Sequence, residues 1–191
     1  MRSYYFVVTF LLSSWLFLAC GSDPASQSAP VGITLKLQSR DVDVPNGTVS
    51  ADKNVTTESG NPWGKFINDA QVALGADPSS IVLDQATLTL QGTSTGVASL
   101  GEVFGGATAV SFVTNTSNTD YPVASSVLDT NSGTLVSLEN NFDYAQVVAA
   151  DRSELLSGSF KVVLTGVAES NFSTLSATAD VVVTMTFSAY P

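Results

Sequence analysis

The last stretch of the chain, residues 177–188, alternates apolar and polar side chains, and this pattern most restricts how the chain can fold. Its apolar members are Ala177, Ala179, Val181, Val183, Met185 and Phe187. Successive side chains of a strand point to opposite faces, so the alternation predicts one long strand with a buried face. Threonines occupy much of the other face, which predicts that it meets water or a polar layer.

The same alternation recurs along the chain. Strands are predicted over residues 33–38, 81–83, 86–90, 108–114, 123–127, 134–138 and 160–165, with another near Val49. The apolar positions change from odd to even across Asp84 and Gln85, which predicts a β-bulge. Many strands with turn-rich joins are typical of a mainly β fold. We expect an antiparallel β-sandwich with one or two short helices, and an α+β sheet is the alternative.

Two segments have helical signals. Asn61 can cap a helix that begins at Pro62 and ends at Gly75. Its apolar stripe comprises Trp63, Ile67, Ala70 and Leu74. Residues 142–156 are expected to be partly helical, with Asp143 as the cap and Gly158 as the stop.

The amino terminus has the pattern of a signal peptide. A basic Arg2 precedes an apolar run at residues 4–18, which is shorter than the roughly 20 residues that a membrane-spanning helix needs. Cys20 is the only cysteine, so it cannot form an internal disulfide. Residues 21–30 are rich in Ser, Ala and Pro, which indicates a flexible linker. We therefore predict a signal peptide at 1–19, Cys20 with a tether at 20–31, and a single β-rich domain at 32–191.

The residues Leu16, Phe17, Leu18, Ala19 and Cys20 resemble the lipobox of bacterial lipoproteins. The resemblance implies that a secreted chain is acylated at Cys20, as by palmitate, and anchored in a membrane of the cell envelope. In that family an aspartate after the cysteine favours the inner membrane, so Gly21 implies the outer membrane. An ordinary secretory leader with a coincidental cysteine is the alternative.

The charge balance disfavours one class of partner. Seven basic residues accompany seventeen acidic ones, which gives a net charge of −10. This charge repels a phosphate backbone, so we expect no nucleic-acid partner. Attraction to anionic headgroups is disfavoured as well, so membrane attachment should depend on the lipid anchor.

The chain contains no histidine. Ser-His-Asp and Cys-His mechanisms are therefore excluded, and zinc sites lose their usual ligands. We expect no cofactor. A pair of carboxylates can cleave glycosidic bonds. The candidates for such a pair are Glu102, Glu139, Asp143, Asp151 and Glu154. We interpret these residues as surface carboxylates.

One loop could present hard oxygen ligands to calcium. Asp41, Asp43 and Asp52 lie close together in the sequence. An EF-hand loop requires glycine at its sixth position, which is Asn46 when counted from Asp41. Asp and Asn are also common turn residues, so a turn is the favoured interpretation.

Two aromatic residues, Phe104 and Tyr121, fall in predicted loops and are candidates for a binding rim. Trp63 and Phe66 have helical spacing, which favours packing in the core. The expected function is a non-enzymatic binding or structural module anchored in the envelope, with an envelope protein or glycan as partner. A small carboxylate-dependent hydrolase and a carrier of a hydrophobic ligand are the alternatives.

Overall fold

Eight strands and two α-helices make up most of residues 26–56 and 60–191, the part of the chain that this computed structural model describes. The strands are β1 (Gln27–Gln38), β2 (Thr48–Val55), β3 (Ser80–Leu90), β4 (Phe104–Thr114), β5 (Asp120–Val127), β6 (Leu135–Asn140), β7 (Phe160–Ala168) and β8 (Thr178–Tyr190). The helices are α1 (Pro62–Leu74) and α2 (Ala149–Ser157).

All neighbouring strands are antiparallel, in the order β1-β8-β3-β6-β5-β4-β7-β2. The short β6 pairs with β3 on one side and with β5 on the other, so the sheet is continuous. It curves until its edge strands, β1 and β2, lie near each other. The prediction of a mainly β fold is confirmed. The expected two-sheet sandwich is corrected to one nearly closed, barrel-like sheet, because β6 joins the two halves.

The apolar faces of the strands enclose an aromatic interior. Trp63, near the start of α1, packs edge-on against three phenylalanines from three strands. The ring centroids lie 5.5 Å away for Phe112, 5.3 Å for Phe160 and 5.1 Å for Phe187. Trp63 and Phe66 are each 1% exposed, which confirms that they pack in the core. Because α1 also packs along β1, it anchors this edge of the sheet to the interior.

Local signals set the helix ends. The side chain of Asn61 accepts a hydrogen bond from the Trp63 amide at 3.0 Å, and α1 ends at Gly75, whose φ is 73°. This helix is as predicted. Asp143 caps a short 3-10 turn instead of α2, and its side chain accepts from the Ala145 amide. Helix α2 starts later and ends at Gly158, whose φ is 66°.

The predicted bulge in β3 is confirmed. Leu83 is opposite Phe187 and Gln85 is opposite Thr186, so Asp84 is the extra residue. The Asp84 carboxylate accepts a hydrogen bond from the Ser188 hydroxyl at 2.6 Å. The bulge keeps the apolar side chains on both sides of it facing the interior.

The first strand begins earlier than predicted. Gln27 is opposite Ala189, so residues 27–31, which we assigned to the tether, belong to β1. This part of the sequence has little apolar alternation, so the pattern does not reveal the strand. Backbone pairing with β8 places these residues in the sheet. Pro30 is tolerated because β1 is an edge strand. The predicted signal peptide at 1–19 and the lipid attachment at Cys20 lie outside the described residues. Neither α-helix in the described part of the chain is long and apolar enough to span a membrane.

Candidate functional site

An open cleft of about 680 Å³ lies on the outer face of the sheet. Ala107 and Ala109 of β4 form its floor, and their short side chains leave the space unfilled. Ala109 is opposite Ser125 on β5 and Thr165 on β7. Paired residues of an antiparallel sheet share a face, so both hydroxyls border the floor.

Two valines flank the floor of the cleft. Val127 is opposite Ala107 and is 79% exposed, while Val167 on β7 is 45% exposed. Within the described part of the chain, Glu139 of β6 is the one charged side chain that lines the cleft. The surface therefore combines hydroxyls, small apolar side chains and one carboxylate at its border.

A double glycine shapes β4 beside the cleft. Phe104 is opposite Ala168, whereas Thr108 is opposite Gly166, so β4 has two more residues than β7 between these pairs. A Cβ at Gly105 would lie 2.6 Å from Glu169 Oε2, and one at Gly106 would lie 3.0 Å from the Cβ of Val167. The strands approach this closely because neither glycine has a side chain.

The structure does not place Phe104 and Tyr121 at a binding rim. Phe104 begins β4, is fully buried and packs over Gly166. Tyr121 lies in β5 opposite Phe112 and is 8% exposed. The glycines after Phe104 and the proline after Tyr121 predict loops, but both residues lie in strands. Their alternation with buried neighbours was the signal for the strands.

The proposed calcium ligands are not assembled. Asp41 accepts a hydrogen bond from the Gln38 amide at 3.3 Å, whereas Asp52 lies exposed in β2 opposite Val163. The intervening loop is a 3-10 turn that ends at Gly47 with φ 85°, and Asp43 precedes this turn. Across residues 26–56 and 60–191, no three His, Cys, Asp or Glu residues are grouped so that they could hold a metal ion.

The candidate catalytic acids are spread over the molecule. Glu102 accepts a hydrogen bond from the Ala98 amide at 2.7 Å, and Asp143 caps its 3-10 turn. Glu139 lies at the cleft, opposite Ser125. Asp151 and Glu154 lie three residues apart on α2, about one helical turn.

Asp151 and Glu154 hold α2 against the turn between β4 and β5. Asp151 is 1% exposed and accepts hydrogen bonds from Tyr121 Oη at 2.6 Å and Ser117 Oγ at 3.0 Å. The Tyr121 hydroxyl lowers the pKa of Asp151, although burial opposes it. Burial, followed by the bond to Asp151, raises the pKa of Tyr121. Glu154 accepts from the amides of Asn115 and Thr116 at 2.8 and 3.2 Å. Hydrogen bonding from Thr116 is the largest cause of its lowered pKa.

These observations separate two groups of polar residues. The acids on α2 are engaged in internal hydrogen bonds, while the hydroxyls of the cleft border a space that a ligand can enter. Sequence inspection missed the cleft because Ala109, Ser125 and Thr165 come together only through strand pairing. Neither a protein-family model nor a curated protein matches this chain.

Proposed function

We propose that this chain is a lipoprotein of the bacterial envelope, anchored in the outer membrane through an acylated Cys20. Its β-rich domain acts as a non-enzymatic module that binds an envelope protein or glycan. The observation that carries the proposal is the position of the one cysteine, directly between the apolar leader and the Ser/Ala/Pro-rich linker. An acyl chain there would keep the domain at a membrane surface.

The outer cleft supports the binding role. Ser125 and Thr165 can each donate and accept hydrogen bonds, as the hydroxyl and amide groups of glycans and peptides require. Val127 and Val167 add exposed apolar surface on the same face. Such a surface can make polar and apolar contacts with an extended polymer without needing a charged partner.

The same cleft favours binding over carboxylate-based hydrolysis. Cleavage of a glycosidic bond uses two carboxyl groups that flank it. In the described residues that line the cleft, Glu139 is the one carboxylate. Asp151 and Glu154 are instead engaged with the β4–β5 turn.

The experiment separates the anchor from the cleft. Cys20→Ala in the full-length chain should move the protein from the membrane fraction to the soluble fraction. The released protein is then sedimented with purified cell-wall glycan and, separately, with outer-membrane vesicles stripped of it. Ala109→Arg in the same background places a long cation on the cleft floor and should abolish sedimentation. Thr87→Arg, on the outer face of β3 and opposite Thr184, is the matched control and should leave it intact.

Three results would contradict the proposal. Unchanged membrane association of Cys20→Ala would show that acylation of Cys20 is not the anchor. Failure of the released protein to sediment with either preparation would show that the domain does not bind these envelope components. Equal binding of Ala109→Arg and Thr87→Arg would show that the partner does not use the cleft.

A further inference from the structure

Helix α2 covers one part of the aromatic interior with little apolar contact of its own. Of its nine residues, Asp151 and Leu155 are the buried ones. Leu155 is fully buried, and its carbonyl accepts a hydrogen bond from Trp63 Nε1 at 2.7 Å. The helix therefore reaches the central tryptophan directly, and its apolar attachment comes from the fully buried Leu155 and the partly buried Leu156.

Polar contacts to one turn add to this attachment. Asp151 and Glu154 lie three residues apart, so they occupy the same face of the helix. Asp151 accepts from two hydroxyls, and Glu154 accepts from two consecutive backbone amides, all in or next to residues 114–121. An ionised carboxylate can accept all these hydrogen bonds. A protonated carboxyl group carries an O–H that needs an acceptor, and its oxygens accept hydrogen bonds less strongly.

Among residues 26–56 and 60–191, neither Asp151 nor Glu154 forms an ion pair with a lysine or arginine. Strand β4 and the turn that follows it, residues 104–119, contain no ionisable side chain. On α1, Lys65 pairs with Asp69. Arg152 points to the carbonyls of Ala145 and Val147 and lies over the Tyr144 ring.

The remaining titratable neighbours are Tyr121, which donates to Asp151, the two acids themselves, and Asp120 at the exposed start of β5. The charge of Asp151 acts to raise the pKa of Glu154, although hydrogen bonds lower that pKa overall. Both acids therefore stabilise the attachment of α2 above their ordinary pKa values. This stabilisation is lost as the pH falls through the lowered pKa values of the two carboxyl groups.

We propose that α2 is an acid-released cover: when Asp151 and Glu154 become protonated, the helix separates from the β4–β5 turn while the sheet remains folded. Separation breaks the hydrogen bond between Trp63 Nε1 and the Leu155 carbonyl and exposes Trp63, whose ring packs against Phe112 and Phe160. Apolar surface would then be available at the cell boundary only in acid. Regions with few apolar contacts are the ones that open without global unfolding.

Trp63 reports on this opening. The full-length chain with Trp15→Phe keeps Trp63 as its one tryptophan. Its emission wavelength and its quenching by acrylamide are followed in mild detergent from about pH 7 to about pH 3, together with the far-ultraviolet circular dichroism of the sheet. We expect a red shift and a several-fold rise in quenching at a pH where the sheet signal is unchanged.

Variants assign the effect to the carboxylates. Glu154→Gln should move the Trp63 transition toward neutral pH, because Asp151 alone then holds the helix. Asp151→Asn with Glu154→Gln should give raised quenching already at neutral pH. Glu102→Gln is the matched control, since it also removes a charged acceptor of a backbone amide, and it should leave the transition in place.

Two outcomes would overturn the proposal. In the first, the Trp63 signal and the sheet signal change together, which would mean that acid unfolds the whole domain. In the second, the Trp63 fluorescence transition occurs at the same pH in Glu154→Gln and in Glu102→Gln. The first comparison needs no substitution on α2, so a poorly folded double variant would not prevent the test.

Discussion

At the scale of single residues, the contact between Phe104 and Gly166 shows how a core position depends on a missing side chain. Phe104 is fully buried at the start of β4, and Gly166 lies beneath its ring on β7. A Cβ at Gly166 would lie 2.6 Å from Phe104 Cδ1 and 2.9 Å from Thr108 Oγ1. Both distances are too short for a real contact, so the ring or the strand would have to move.

Gly166→Ala should therefore destabilise the domain by about 1–3 kcal/mol, the usual range for overpacking a core. Urea unfolding followed by circular dichroism measures the change. Gly133→Ala is the control, because nothing lies within 4 Å of the Cβ it would add. Equal midpoints for the two variants would mean that β7 can move away from Phe104 without cost.

At the scale of elements, α1 shows that a helix can be specified by its own ends. Asn61 supplies the cap, and Asn61→Ala should cost about 1 kcal/mol because the Trp63 amide loses its partner. Asn68→Ala, at an exposed position inside the same helix, should leave stability unchanged or raise it slightly, since alanine favours helix. Thermal unfolding of the two variants tests this contrast. A loss from Asn68→Ala as large as that from Asn61→Ala would contradict it.

The elements that the sequence predicted best are those with local causes. Helix α1 depends on neighbours such as Asn61 and Gly75, and β8 depends on its own alternation. The glycines after Phe104 and the proline after Tyr121 predict loops, whereas the burial of both residues depends on partners in neighbouring strands, including Gly166 and Phe112. The cleft was missed for the same reason, since three separate strands supply its floor and flanks.

At the scale of the whole molecule, the continuity of the sheet depends on the six-residue strand β6. Sandwiches and barrel-like sheets need the same alternation in each strand, so the sequence pattern could not distinguish them. The difference lies in β6, which pairs with β5 through Ala124 and Ser125 opposite Asn140 and Glu139. This short junction makes one curved sheet from two halves.

Charge is the other property that belongs to the whole molecule. The chain has a net charge of −10. The two ion pairs found among the described residues, Lys36–Asp180 and Lys65–Asp69, each have a lysine that is more than half exposed, so they contribute little. Repulsion among the acids should therefore be the dominant long-range electrostatic effect on stability.

Screening should consequently stabilise this protein. Raising sodium chloride to about 0.5 M shortens the range of the repulsion. The melting temperature should then rise by roughly 2–4 °C, the shift that about 1 kcal/mol produces in a domain of this size. A fall in melting temperature with salt would mean that attractive ion pairs outweigh the repulsion.

Two neighbouring exposed positions on β2 test the cause of this salt effect. Asp52→Asn removes a negative charge and should raise the melting temperature at low salt. Lys53→Gln removes a positive charge and should lower it. The two variants should converge in about 0.5 M salt, because screening removes the difference that charge creates. Variants that stay apart in high salt would show that local contacts at β2, and not the net charge, cause the difference.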